Sequence, residues 1–162
     1  MPSLSKSRHS MHPLIAFPLW LLFLCATVAG CSSLKDYTSG APRNLTIDAE
    51  ADSGSWFAKT TVDLHIYRMK GGCALDYLGT IELKDRSVMT GLEIGQKVYL
   101  KFNITTDNSV IEYATIITPR PGAQYKALAK YANRMYEVRV REVDARGTVR
   151  EFERQQFNCP ET

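Results

Sequence analysis

Beyond residue 43, apolar and polar residues alternate with a period of two along most of the chain. Val62, Leu64 and Ile66 alternate with Asp63, His65 and Tyr67, the pattern of a strand buried on one face. Lys70-Gly71-Gly72 follows, and glycine there supplies the positive φ of a tight hairpin turn. Leu75, Tyr77, Gly79, Ile81 and Leu83 then share one face, opposite Asp76, Thr80 and Glu82. Lys84 to Ser87 reads as a turn, and Gly91 and Gly95 bracket a short apolar piece, Leu92 and Ile94. Val98, Leu100, Phe102 and Ile104 alternate with Lys101 and Asn103; Asp107-Asn108 turns the chain into Val110 to Ile117. That last segment is apolar on both faces and reads as a central strand. Pro119, Pro121 and Gly122 make the next loop.

Residues 123 to 135 fit two patterns. Tyr125, Leu128, Ala129, Ala132 and Met135 suit a helical face, whereas Tyr125, Ala127, Ala129 and Tyr131 suit a strand. The neighbouring Tyr136, Val138 and Val140 alternate as a strand, and Asn133-Arg134 suits a hairpin turn, which favours strand. A final strand around Val149 to Phe157 follows the turn at Gly147. Short strands punctuated every eight to twelve residues by turn signals predict an all-β domain. The expected form is a single antiparallel β-sandwich of about seven to eight strands, transthyretin- or immunoglobulin-like, with a small barrel as the other closure.

The first residues follow another logic. Met1 to Pro13 carries Lys6 and Arg8 and no acidic residue, an apolar run follows from Leu14 to Leu24, and Val28-Ala29-Gly30 precede Cys31. A basic n-region, an apolar h-region and small residues at the end are the marks of a secretory signal peptide. The run is short for a membrane span, which needs about 20 apolar residues. Val28-Ala29-Gly30-Cys31 resembles the lipobox of bacterial lipoproteins, which implies cleavage before Cys31 and acylation (palmitate among the chains) of its sulfur. Ser32-Ser33 resembles the outer-membrane sorting signal, which implies a periplasm-facing anchor in a Gram-negative envelope. The expected organisation is a signal peptide over 1–30, a lipidated N-terminus and flexible tether over 31–43, and the β-sandwich over 44–162.

Removing the signal changes the charge. Lys6 and Arg8 are two of the 20 basic residues, which leaves 18 against 17 acidic ones. A chain so near neutrality is not expected to bind nucleic acid, which needs a clustered basic face. Late basic residues such as Arg139, Arg141, Arg146 and Arg150 are interleaved with Glu137, Glu142, Asp144 and Glu151, the pattern of a solvated strand face. Cys25 lies within the signal and Cys31 takes the lipid, so Cys73 and Cys159 remain as an even pair. In an exported chain that pair is expected to form a disulfide.

The inventory for catalysis is sparse. His65, the histidine left after residue 30, sits on the polar side of its strand without a partner at ligand spacing. It reads as an exposed or hydrogen-bonded strand residue. Asp48 and Glu50 share a strand face, as many solvated carboxylates do. No metal site, cofactor site or catalytic residue is assigned, and the domain is expected to be non-enzymatic. Tyr77, Tyr99, Tyr113, Tyr125, Tyr131 and Tyr136 are candidates for a binding face or for core and rim positions. Trp56 and Phe57 read as a core lid at one end of the sandwich or as interface anchors.

One further resemblance bears on partners. The lipobox, the short tether, Asn44 to Ala49 and Val62 to Met69 look like the opening of the type VI secretion outer-membrane lipoproteins. That implies a transthyretin-like sandwich that binds the periplasmic domain of an inner-membrane partner. The chain departs from the family in lacking an Asn-Pro after the first strand and a helical insert after Met69, and no binding residue is carried over. The expectation is therefore an envelope lipoprotein, held to the membrane through Cys31, whose sandwich binds or helps assemble an unidentified envelope protein. A periplasmic inhibitor, such as a lysozyme-inhibitor fold, or a small-ligand binder is the alternative.

Overall fold

The structure, a computed structural model, describes residues 34–51, 60–71, 73–83, 87–132 and 135–157. Nine strands build two sheets: β1 (Arg43–Ala51), β2 (Thr61–Met69), β3 (Leu75–Leu83), β4 (Ser87–Gly91), β5 (Val98–Thr106), β6 (Ser109–Ile117), β7 (Gln124–Ala132), β8 (Met135–Val143) and β9 (Val149–Phe152). The five-stranded sheet runs β4-β1-β7-β8-β9 and the four-stranded sheet β3-β2-β5-β6. The β-sandwich is thus as expected, with residues 124–132 in a strand. All strand pairs are antiparallel but one: β1 runs parallel to β7, with Leu45 opposite Tyr125 and Ala51 opposite Tyr131. In an immunoglobulin sandwich the first two strands are neighbours in one sheet. Here β1 and β2 lie in different sheets.

The core forms where the inward positions of the two sheets meet. Val62, Leu64, Ile66, Leu100, Phe102 and Ile104 from one sheet close on Leu45, Ile47, Tyr125, Ala127, Ala129 and Val140 from the other. Each fully buried Leu, Ile or Phe contributes about 1.5–3 kcal/mol relative to exposure, so the period-two pattern fixes which face turns inward.

Three sequence expectations about the strands and the tether are corrected. Tyr77 does not share a face with Gly79, Ile81 and Leu83. A bulge in β3 sets Ile66 opposite Gly79 but Tyr67 opposite Tyr77, so the phase flips at Leu78 and Tyr77 turns outward. Next, β6 is an edge strand. Its second side is covered by the chain after β9, where Gln155 N donates to Ala114 O at 2.8 Å and Thr115 Oγ1 to Glu153 O at 2.9 Å. That cover explains an edge strand apolar on both faces. In the β2–β3 turn Cys73 has a positive φ (66°), while Gly72 of the expected turn lies outside the described residues.

The third concerns residues 35–37 of the expected tether, which are docked on the sheet. Asp36 bridges in parallel to Thr80 on the outer edge of β3, with Thr80 N donating to Lys35 O (2.8 Å) and Tyr37 N to Thr80 O (2.9 Å). Tyr37 OH donates to Gly91 O at 2.8 Å. Gly79 makes room for this segment: a Cβ there would stand 2.6 Å from Tyr37 Cα.

Turns gather at two ends. The β2–β3, β4–β5, β6–β7 and β8–β9 connections share one end, and the β5–β6 turn lies at the other. At the first end Glu142, expected on a solvated face, is buried against Arg120. The alternation of Val138 and Val140 carries its side chain inward.

Candidate interaction face

The outward positions of β2, β3 and β5 form a continuous surface on the four-stranded sheet. Strand register sets Tyr67 between Tyr77 and Tyr99, and His65 between Thr80 and Lys101. The bulge in β3 is what brings Tyr77 to this face. Ring centroids are 5.3 Å apart for Tyr67 and Tyr77, 5.9 Å for Tyr67 and Tyr99, and 5.7 Å for Tyr99 and Phe157. These separations fall in the favourable range for tilted aromatic pairs. The C-terminal tail thereby adds a fourth ring to a row that crosses the sheet.

Beside the aromatic row runs a hydrogen-bonded chain. Asn103 Nδ2 faces His65 Nε2 at 3.0 Å, and a side-chain amide nitrogen is purely a donor, so Nε2 accepts. Nδ1 then carries the imidazole proton and donates to Thr80 Oγ1 at 2.6 Å, and Thr80 Oγ1 shares a further hydrogen bond with Tyr77 OH at 2.6 Å. Asn103 Oδ1 is buried without a partner among the described residues. Burial lowers the His65 pKa from its ordinary 6.5, with smaller opposing effects of Asp63 and Lys101, and raises that of Tyr67. Both groups are neutral at neutral pH. Lys101 and Glu112, paired at 2.6 Å, bound the face on the β6 side.

This network orders side chains, and its Thr80 hydroxyl is buried, 3% exposed. Tyr67, Tyr77 and Phe157 are half-buried and Tyr99 is 9% exposed.

Among the residues singled out in the sequence, Cys31, Trp56, Phe57 and Cys159 lie outside the described residues. Cys73 is exposed in the β2–β3 turn. His65 is a hydrogen-bonded strand residue. Asp48 and Glu50 face outward from the five-stranded sheet, where Lys130 Nζ donates to Glu50 Oε2 at 2.8 Å. The six tyrosines do not form one face. Tyr77 and Tyr99 flank Tyr67 on the outer face, where Tyr99 is largely buried; Tyr113 and Tyr125 are buried, Tyr131 packs against the core, and Tyr136 is exposed. Tyr67, which joins Tyr77 to Tyr99, was not among the six. Its outward phase opposite Leu64 and Ile66 was the available signal. No family model matches the chain, and no curated protein matches its sequence.

Proposed function

We propose that this chain is an envelope lipoprotein anchored through acylated Cys31 in the outer membrane, facing the periplasm, and that its sandwich is a non-enzymatic protein-binding or assembly module. The observation that supports the binding role is the row Tyr77–Tyr67–Tyr99–Phe157, preset by the polar chain beside it. Interface energy concentrates in a few aromatic anchors, and Tyr is enriched among them. Rings ordered before binding lose little side-chain entropy when a partner docks.

The test compares intact lipoprotein with Tyr67→Ala and Tyr99→Ala in cross-linking from solubilised envelopes. A partner captured by wild type should be lost from both variants; the melting temperature of Tyr67→Ala should stay close to wild type, whereas Tyr99→Ala removes a ring only 9% exposed and should also lower it. Unchanged capture would refute the role of this face. The anchor is tested by palmitate labelling, which Cys31→Ser should abolish.

A second reading has one specific support. The split of β1 and β2 between sheets fits the transthyretin-like sandwich implied by the resemblance to type VI secretion lipoproteins. Under that reading the partner is the periplasmic domain of an inner-membrane protein. The inhibitor or ligand-binder alternative draws less support, since the clefts of 180, 310 and 410 Å³ are lined with charged side chains at one end of the sandwich.

A further inference from the structure

We infer that the 410 Å³ cleft beside β6 seats the carboxylates of an acidic protein segment, with an apolar residue of that segment against Ile116 and Phe152. This rests on the reading of the sandwich as a protein-binding module and names the chemistry of its partner.

The first argument is position. Lys97 immediately precedes β5 and Thr118 immediately follows β6, with Val98 opposite Ile117 between them. Ile116 lies opposite Tyr99, in the outward phase of the four-stranded sheet. Arg120 enters from the β6–β7 loop, and Glu142, Arg150 and Phe152 from β8 and β9. The tail supplies Gln155, pinned where its N donates to Ala114 O at 2.8 Å. Two residues on, Phe157 packs against Tyr99. The cleft is thereby continuous with the Tyr99–Phe157 end of the aromatic row.

The second argument is charge. Lys97, Arg120 and Arg150 line the cleft against one carboxylate, Glu142. That carboxylate is buried and already engaged, since Arg120 Nε and Nη2 both donate to its Oε1. Arg150 stands opposite Glu142 in the β8–β9 register, yet its guanidinium lies over the Phe152 ring, 5.1 Å from the centroid. Lys97 and Arg150 are exposed and have no carboxylate partner among the described residues. Acidic side chains on neighbouring elements are matched elsewhere: Glu151 with Arg141, Asp144 with Arg146, Glu112 with Lys101 and Glu93 with Arg68. The tail adds one charge of each sign, Glu153 and Arg154. The third argument is the floor. Ile116 and Phe152 are half-buried, and a guanidinium held against a ring is preorganised to receive a carboxylate. The cations come from both sheets, which suits separated carboxylates better than one compact ion, and a free inorganic anion gains nothing from the apolar floor. Complementary charge of this kind fixes the register of a partner.

The probe is a rhodamine-labelled peptide, Glu-Leu-Glu-Leu-Glu, read by fluorescence anisotropy against the full-length chain in neutral detergent at low salt. Gln-Leu-Gln-Leu-Gln is the uncharged control. The acidic peptide should bind at least about tenfold more tightly than the control, and Lys97→Gln and Arg150→Gln should each weaken it about threefold. Both side chains are exposed, so these variants should melt like wild type. Lys126→Gln removes the same charge from an exposed position on β7, in the other sheet, and should leave binding unchanged. Equal binding of the two peptides, or equal weakening by Lys126→Gln, overturns the site. Displacement by inorganic phosphate at the concentration of the peptide itself would assign the cleft to a free anion and overturn the partner. Cleft and aromatic row fail separately. Envelope cross-linking that is lost in Tyr67→Ala, with no preference for the acidic peptide, would strike the cleft and keep the row. Charge-dependent peptide binding with cross-linking unchanged in Tyr67→Ala would strike the row and keep the cleft.

Discussion

Arg120 reaches from the β6–β7 loop to the buried carboxylate of Glu142, with Nε and Nη2 both donating to Oε1. The two ends of this pair differ in environment: the Glu142 side chain is 2% exposed and that of Arg120 is 56% exposed. Arg120 N also donates to Tyr125 OH at 2.9 Å, so backbone and side chain of one loop residue both serve the core.

That asymmetry predicts an asymmetric response. Arg120→Ala strands a carboxylate in the interior and should destabilise the domain by about 2–4 kcal/mol, reduced from the fully buried case because the guanidinium is half solvated. Glu142→Leu lets Arg120 turn to water and should change stability by less than about 1.5 kcal/mol. Urea midpoints of the two variants and of the double variant check this. The double should resemble Glu142→Leu and not the sum, since both changes act on one interaction.

Docking of residues 35–42 depends on two glycines. A Cβ at Gly91 would collide with the Ala41 carbonyl, and one at Gly79 with the Tyr37 backbone. Gly91→Ala and Gly79→Ala should each cost roughly 1–3 kcal/mol and release the segment. Hydrogen exchange at the Thr80 and Tyr37 amides is the direct readout. Unchanged protection in both variants would contradict the docking.

The burial of His65 has a definite sign. Its folded pKa lies below the unfolded 6.5 because burial disfavours the charged ring. The unfolded chain therefore binds more protons in that window, and stability falls as pH drops below about 6.5 through the lower folded value. A protonated Nε2 would also face the Asn103 amide donor. His65→Gln should flatten the dependence of melting temperature on pH between about 7.5 and 5. A slope as steep as wild type in that variant would rule the account out.

The tail brings Phe157 onto Tyr99, whose partner Tyr67 lies two strand positions from Met69 at the start of the Cys73 turn. Cys159 follows two residues later in sequence, outside the described residues. We expect the Cys73–Cys159 bond on this ground as well as from cysteine parity. Non-reducing peptide mapping of envelope-purified protein should recover the two as one linked peptide. Closing so long a loop stabilises by at most roughly 4–5 kcal/mol, so Cys159→Ser should lower the urea midpoint.

The sequence by itself determined the β class, most strand positions and the inward faces, because strand burial repeats every two residues and a wrong phase exposes a whole row of side chains. The resemblance of Val28-Ala29-Gly30-Cys31 to a lipobox is likewise read from the sequence, since such a signal is linear. The sequence also held the inward phase of Glu142, one step beyond Val138 and Val140, though its charge argued otherwise. Tertiary structure alone decided the rest. A bulge at Leu78 moved Tyr77 to the outer face, since one inserted residue reverses a period-two pattern. The edge position of β6 was hidden because a distant tail buries its open side. The pairing of Arg120 with Glu142 was invisible along the chain, since the two are 22 positions apart and meet because alternate turns of an antiparallel sandwich return to the same end.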